Sequence, residues 1–394
     1  MGQEDASHRE ATTNYTVLQR PLLLGSLTLT VLPFLLPIYA KQLGASAVSI
    51  GGLFAVAHLM LVLLRPGIGW AIDRLGRKGF LVAGLGCFAG AMGLFAVADN
   101  VMMLYLAQSV LGLATALTWT SAYTITTELT PPAQQGKALG RVDEYAARGG
   151  FCGMVVALAL LSWLALDTVW HLLFLGYTGL AVVGIGLAWT QVPETRSPSG
   201  VPAWLTLKVS WSIARVVAMV FLSYLTIAMI RPLFFVFLQD HITKDLRLLA
   251  LAFFPSAGIE SFVPSRLGYL SDRVGRIPLI IAGLAWAGLG SLLVPGIPHL
   301  PWLIVLWTLR TVGLTAAVPP QKALVSDMTD TDGRGIGYGL YMLAAGLGEV
   351  VGPLLGGWLY DAVDHATPFY LSGIVLLVSP GWVLLLLRSK PLRH

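Results

Sequence analysis

Apolar runs of roughly twenty residues or more recur along the whole chain, broken by short clusters of charge, proline and small polar residues. "FLVAGLGCFAGAMGLFAVA" at 80–98 is typical. A helix needs about 20 apolar residues to cross a hydrocarbon core of about 30 Å, so each run reads as a membrane-spanning helix. The punctuation predicts twelve spans, at 18–40, 48–72, 79–98, 101–127, 138–165, 168–192, 211–239, 246–271, 277–295, 301–326, 335–360 and 367–388. Connections are short except for the polar stretch "PETRSPSGVPAWLTLK" at 193–208. The expected organisation is a tail at 1–17, a six-helix half at 18–192, a linker at 193–210, a second six-helix half at 211–388 and a tail at 389–394.

Composition agrees with this pattern. Of 394 residues, 56% are hydrophobic and 11% charged, against about 25% charged in ordinary globular domains. The chain therefore reads as an all-α integral membrane protein. Its first twenty residues lack the basic, apolar and small-residue order of a cleaved signal peptide. Cys87 and Cys152 both fall within apolar helices, which predicts neither a disulfide framework nor a metal site.

A net charge of +5 would suggest nucleic acid as partner for a soluble chain, but here topology explains it. With twelve spans, Arg9, Arg20, Arg74, Arg77, Lys78, Lys137, Arg141, Arg196, Lys208, Arg215, Arg273, Arg276, Arg334, Arg388, Lys390 and Arg393 gather at one set of helix ends. The other ends carry Lys41, Lys244 and Arg247 with Asp99, Asp167, Asp361 and Asp364. Cytoplasmic loops are the Lys- and Arg-rich ones, so both termini are expected in the cytoplasm. The partners expected are the lipid bilayer and a small-molecule substrate, with no nucleic acid.

The halves echo each other at a fixed offset of 199 residues. Pro33 meets Pro232, Gly69 meets Gly268, Asp73 and Arg74 meet Asp272 and Arg273, and Gly76 and Arg77 meet Gly275 and Arg276. Glu128 meets Asp327, Gly136 meets Gly335, and Gly140, Gly149 and Gly153 meet Gly339, Gly348 and Gly352. Parallel six-helix repeats of this kind support alternating access, with a substrate site between repeats. Duplication that merely builds a bundle is the plainer alternative, but it leaves the polar residues inside the spans without a purpose.

"GWAIDRLGRKG" at 69–79 fills the hairpin between spans two and three. Gly69 permits close helix approach, Gly76 suits a tight turn, and Arg74, Arg77 and Lys78 anchor the turn at the membrane surface. Asp73 offers acceptors to a neighbouring helix end. The expected role is a conformational latch, with Gly268, Asp272, Arg273, Gly275 and Arg276 as its second copy; a merely basic, topogenic loop would need neither the glycines nor the copy.

These motifs resemble those of the major facilitator superfamily of transporters, and the resemblance runs from residue 18 to residue 388. The hairpin at 69–78 resembles the superfamily's signature. The segments 128–140 and 327–339 resemble the acid-to-glycine stretches after spans four and ten, and "PET" at 193–195 the ending after span six. The style is that of bacterial drug and metabolite efflux by proton antiport, including "GEVVGPLLGG" at 348–357 in span eleven. There are departures. Gln108 stands four residues before Gly112 where relatives carry an arginine, Gln135 replaces another arginine, and Met154 replaces the proline of the span-five motif.

Charges within a bilayer are costly and mark functional or paired positions. His58, Arg231, Glu260, Arg310 and Glu349 are candidates for substrate contact or proton coupling. Arg310 presents a guanidinium suited to a carboxylate or phosphate; the alternative is that it neutralises Glu260 or Glu349. Those two acids are candidate proton carriers, and His58 is either a coupling residue or a packed one. Arg65, Asp143, Glu144 and Arg148 form a candidate cytoplasmic gate or static network, since Glu144 and Arg148 share a helix face. Pro33, Pro37, Pro232 and Pro353 each remove a backbone donor and are expected to kink their helices.

No nucleotide-binding glycine loop is present, so neither ATP-driven pumping nor an enzyme is expected, and no cofactor is implied. The leading reading is a secondary transporter of the bacterial cytoplasmic membrane. It would export small organic molecules in exchange for protons and function as a monomer. The alternatives are an uptake symporter or facilitator for a small organic anion, and a transport-inactive sensor on the same scaffold.

Overall fold

The computed structural model describes residues 16–131, 134–195, 211–327 and 334–387. The regular structure of the described residues is all helical and is arranged as twelve spans. Span one is Gln19–Gly25 continued by Thr28–Gln42, span two Ala47–Leu75, span three Lys78–Ala96, span four Val101–Glu128, span five Gln135–Leu161 and span six Leu166–Gln191. Span seven is Trp211–His241, span eight Leu246–Phe262 continued by Pro264–Val274, span nine Arg276–Leu293, span ten Leu300–Asp327, span eleven Arg334–Ala362 and span twelve Thr367–Leu387.

Among the described residues ten helices are individually long and apolar enough to cross a membrane. Span eight falls short because it is divided at Val263, where Pro264 opens a new helix. Proline has no N–H to continue the ladder and fits the first turn of a helix. In span twelve, Thr367–Gly381 is a shorter apolar stretch. Pro33, Pro37, Pro232 and Pro353 all lie inside continuous helices.

Local chemistry sets several helix starts. Asn100 accepts from the Met103 N–H at 3.0 Å and Asp245 from the Arg247 N–H at 2.9 Å, each side chain satisfying an orphan donor of the first turn. Gly76 and Gly275 hold φ of +101° and +97° in the two equivalent hairpins, a conformation that costs glycine nothing.

The chain packs as two compact units, one of residues 1–43 and 59–201, the other of 44–58 and 202–394. The boundary thus falls inside span two, whose first half packs with the second unit. In the first unit, span three packs on spans four and six, and span one on spans five and six. In the second, span nine packs on spans ten and twelve, and span seven on spans eleven and twelve.

The glycines show what the repeat preserves. A Cβ on Gly149 or Gly153 would strike the Leu23 or Leu27 carbonyl of span one. One on Gly348 or Gly352 would strike the Leu225 backbone of span seven. A pair not noticed in the sequence obeys the same offset: Gly84 faces Thr118, and Gly283 faces Ala317. Small residues let helix backbones touch, which is how spans associate where lipid is as apolar as leucine.

Candidate functional site

The hairpin after span two closes on a buried cation. Arg77, only 2% exposed, brings its Nη2 to 2.8 Å from Glu128 Oε1 at the end of span four and to 3.5 Å from Asp73 Oδ1. Its Nη1 donates to the Ile72 and Asp73 carbonyls, each at 3.3 Å. Span three begins with free backbone donors, and Glu194 supplies the acceptor, taking the Arg77 N–H at 2.6 Å and the Lys78 N–H at 3.4 Å. An acid at a helix N-terminus also meets the positive end of the helix dipole.

The helix-end acceptor expected of Asp73 is therefore provided by Glu194, while Asp73 stays half-exposed beside Arg77. Both missed partners, Glu128 and Glu194, stood inside motifs the sequence displayed, "ELTPP" and "PET"; their meeting with Arg77 is tertiary. Around them, Arg74 lies over Trp70 at 4.4 Å and Lys78 over Trp189 at 5.7 Å. Gln135, in place of an arginine, donates to the Thr127 carbonyl at 3.0 Å and the Thr130 carbonyl at 3.4 Å, closing the end of span four. In the second copy, the surroundings of Gly268 and of the Asp272 side chain lie outside what is described; Arg273 is exposed and Gly275 makes the turn.

In span five, Glu144 and Arg148 pair at 2.5 Å along one exposed helix face, and Asp143 accepts from the Tyr123 hydroxyl at 2.6 Å. Arg65 joins neither pair.

The second unit gathers the remaining candidates into three groups. Arg231 pairs with Glu260 at 2.7 Å. His58, in the part of span two that belongs to this unit, brings Nε2 to 3.4 Å from Glu349 Oε2. Arg310 is in no direct ion pair among the described residues. It is 3% exposed, donates from Nε to Ser291 Oγ at 2.8 Å and lies over Trp307 at 4.5 Å. Its stem passes where a Cβ on Gly290 would sit 2.9 Å away, and its Nη2 has no hydrogen-bond partner among the described residues. Of the two acids weighed as its partners, Glu260 pairs directly with Arg231 and Glu349 with His58, and Glu260 reaches Arg310 only through longer-range electrostatics.

A bundle of membrane helices in two related units, with ion pairs placed inside its spans, has the build of a membrane transporter. The chain belongs to the Major Facilitator Superfamily, whose family profile matches residues 22–267 and 216–394. The family is one of membrane transporters, and the chain has the multi-pass helical build of its members.

Curated relatives match shorter segments. Multidrug resistance protein MdtH of Sodalis glossinidius is 40% identical over 111 residues, covering 26% of this chain and 27% of that protein. The same-named proteins of Edwardsiella ictaluri and Salmonella arizonae are 34% identical over 117 residues and 32% identical over 152 residues. Those matches cover 29% and 35% of this chain, and 28% and 36% of the relatives. Among solved structures, a bacterial homolog of the human lysosomal transporter Spinster superposes with a TM-score of 0.77 at 14% identity, over 95% of this chain and 96% of that one. The nucleoside transporter NupG gives 0.74 at 15% identity, over 94% and 99%. At these identities the superpositions establish the fold.

Proposed function

We propose that this transporter exports small organic molecules and couples the export to proton uptake by alternating access. The observation that carries the direction is the likeness to three bacterial multidrug resistance proteins, at 32–40% identity over their matched segments. Coupling to protons is supported by acids set within the spans, Glu260 beside Arg231 and Glu349 beside His58. A carboxylate whose cationic partner comes and goes changes its proton affinity during a cycle. The hairpin of Gly69, Asp73, Arg74, Gly76, Arg77 and Lys78 acts as the latch, together with Glu128 and Glu194.

The test is intracellular accumulation of a labelled compound panel in an efflux-deficient bacterial host, with the native protein or an equally expressed Asp73→Asn variant. The expected result is lower accumulation with the native protein, reversed when the proton gradient is collapsed and weakened in the variant. Raised accumulation of an anionic metabolite would overturn export in favour of uptake.

A further inference from the structure

Span two begins at Ala47 with backbone N–H groups that no helical carbonyl can satisfy. Two of them, from Ala47 and Val48, go to the Asp361 carboxylate of span eleven at 3.2 and 2.8 Å. One turn on, a Cβ at Gly357 would meet the Ala47 carbonyl and lie 2.7 Å from Val48 Cα. A Cβ at Gly51 would strike the Pro353 carbonyl. Further along the same antiparallel seam stand His58 and Glu349. All these residues belong to one compact unit.

The hydrogen bonds of His58 fix what this seam requires. Its Nδ1 lies 2.9 Å from the Phe54 carbonyl. A backbone carbonyl can only accept, so Nδ1 carries the proton. In a neutral imidazole the other nitrogen, Nε2, is then bare, and it faces Glu349 Oε2 at 3.4 Å. An ionised carboxylate also only accepts, so two lone pairs would oppose each other. The contact becomes favourable when one further proton is held, either on Nε2 as imidazolium against carboxylate or on Glu349 as an acid donating to imidazole.

Each side chain is about one-third accessible, 33% for His58 and 32% for Glu349, so the site is not sealed. At about 1.5 Å per residue, His58 lies roughly 16 Å along the helix from Ala47, near the middle of a core about 30 Å thick.

We propose that His58 and Glu349 form a single proton-binding site whose occupancy closes the first half of span two onto span eleven. The proposal rests on the proton-coupled reading and assigns it a place. Proton binding forms one N–H or O–H bond and holds the seam; its loss sets two acceptors face to face, and the Asp361 cap and glycine contacts then part. The charged and histidine groups described on span two and on the helices packed against span eleven are Arg65, Asp73 and Arg74 further along span two, Asp361 on its two amides, Arg215, Arg231, Asp240 and His241 of span seven, and Arg310 and Lys322 of span ten. Arg231 is engaged by Glu260, Arg310 by Ser291 and Trp307, and Asp240 by Tyr360. Neither His58 nor Glu349 has another charged partner among the described residues.

The experiment places spin labels on Val48→Cys and Val363→Cys, both exposed, in the full chain with Cys87 and Cys152 replaced by alanine. The distance between labels is measured in lipid nanodiscs from about pH 5 to 8, the window in which histidine ordinarily changes charge. The native pair should be short at low pH and lengthen as pH rises. Glu349→Gln, whose amide can donate to bare Nε2, should stay short at every pH; His58→Phe should stay long. Gel filtration confirms that each variant is folded.

A native distance indifferent to pH, or a pH response that survives in both variants, overturns the proposal. If the distances respond as stated but no compound is exported, the proton site stands and the export reading falls. If Glu349→Gln still exports with full proton coupling, the site assignment falls and the export reading stands.

Discussion

Arg77 Nη2 lies 2.8 Å from Glu128 Oε1, which ties the hairpin after span two to the end of span four. The guanidinium is almost wholly buried, so removing its charge leaves Glu128 beside an uncompensated site. Losing one partner of a buried pair costs about 3–5 kcal/mol. Arg77→Gln is expected to lower the thermal midpoint in detergent by several degrees and to abolish transport. Glu194→Gln removes only an acid from a helix start, worth about 0.3–1 kcal/mol, and should leave the midpoint within a few degrees of native. Unfolding followed by fluorescence-detected gel filtration checks both.

Gly84 against Thr118 and Gly283 against Ala317 are the same contact in two copies. Valine at either glycine forces backbones apart, and overpacking typically costs about 1–3 kcal/mol. Gly84→Val and Gly283→Val should destabilise to similar extents, while Gly86→Ala, with nothing within 4 Å of its added Cβ, should be tolerated. Thermal midpoints of the three variants decide this. A large loss in only one of the two equivalent positions would count against the repeat as a packing unit.

The twelve spans were legible because apolar runs and their punctuation are local, and the repeat because glycines, prolines and charges hold register where apolar letters cannot. The hairpin was legible for the same reason. What escaped was every contact between distant segments. Glu194 and Glu128 both occupy visible motifs, but nothing in the chain says that both converge on residue 77. Glu260 and Glu349 were visible as misplaced charges, yet their partners, Arg231 and His58, lie 29 and 291 positions away. Arg310 looked like a ligand because an isolated intramembrane cation has few harmless uses; Trp307, one turn before it, was the readable sign that it is packed on an indole.

Arg310 is expected to matter for stability before it matters for substrate. Arg310→Lys keeps the charge but loses the Nε bond to Ser291 and the planar stack on Trp307; such a change is not conservative at a stacked site, and the stack alone is worth about 0.5–2 kcal/mol. The variant should unfold several degrees below native and, at permissive temperature, keep its apparent KM for an exported compound. An unchanged midpoint with a tenfold higher KM would make Arg310 a substrate contact instead.

Arg231 and Glu260 pair at 2.7 Å while both remain partly exposed. Neutralising one alone strands the other charge inside the spans, whereas neutralising both does not. Transport by Arg231→Gln or Glu260→Gln should fall at least tenfold, and the double variant should recover part of that loss. No recovery in the double variant would place Glu260 itself on the proton route.

The most direct measurement of proton-coupled export follows the pH gradient of everted membrane vesicles with an acridine dye while compounds are added one at a time. At least one compound is expected to release the quench in vesicles carrying the native protein, and this release should disappear in Arg77→Gln vesicles with an equal initial gradient. A compound that is transported by the same vesicles without any change in quench, and unaffected when the gradient is abolished, would contradict proton-coupled export.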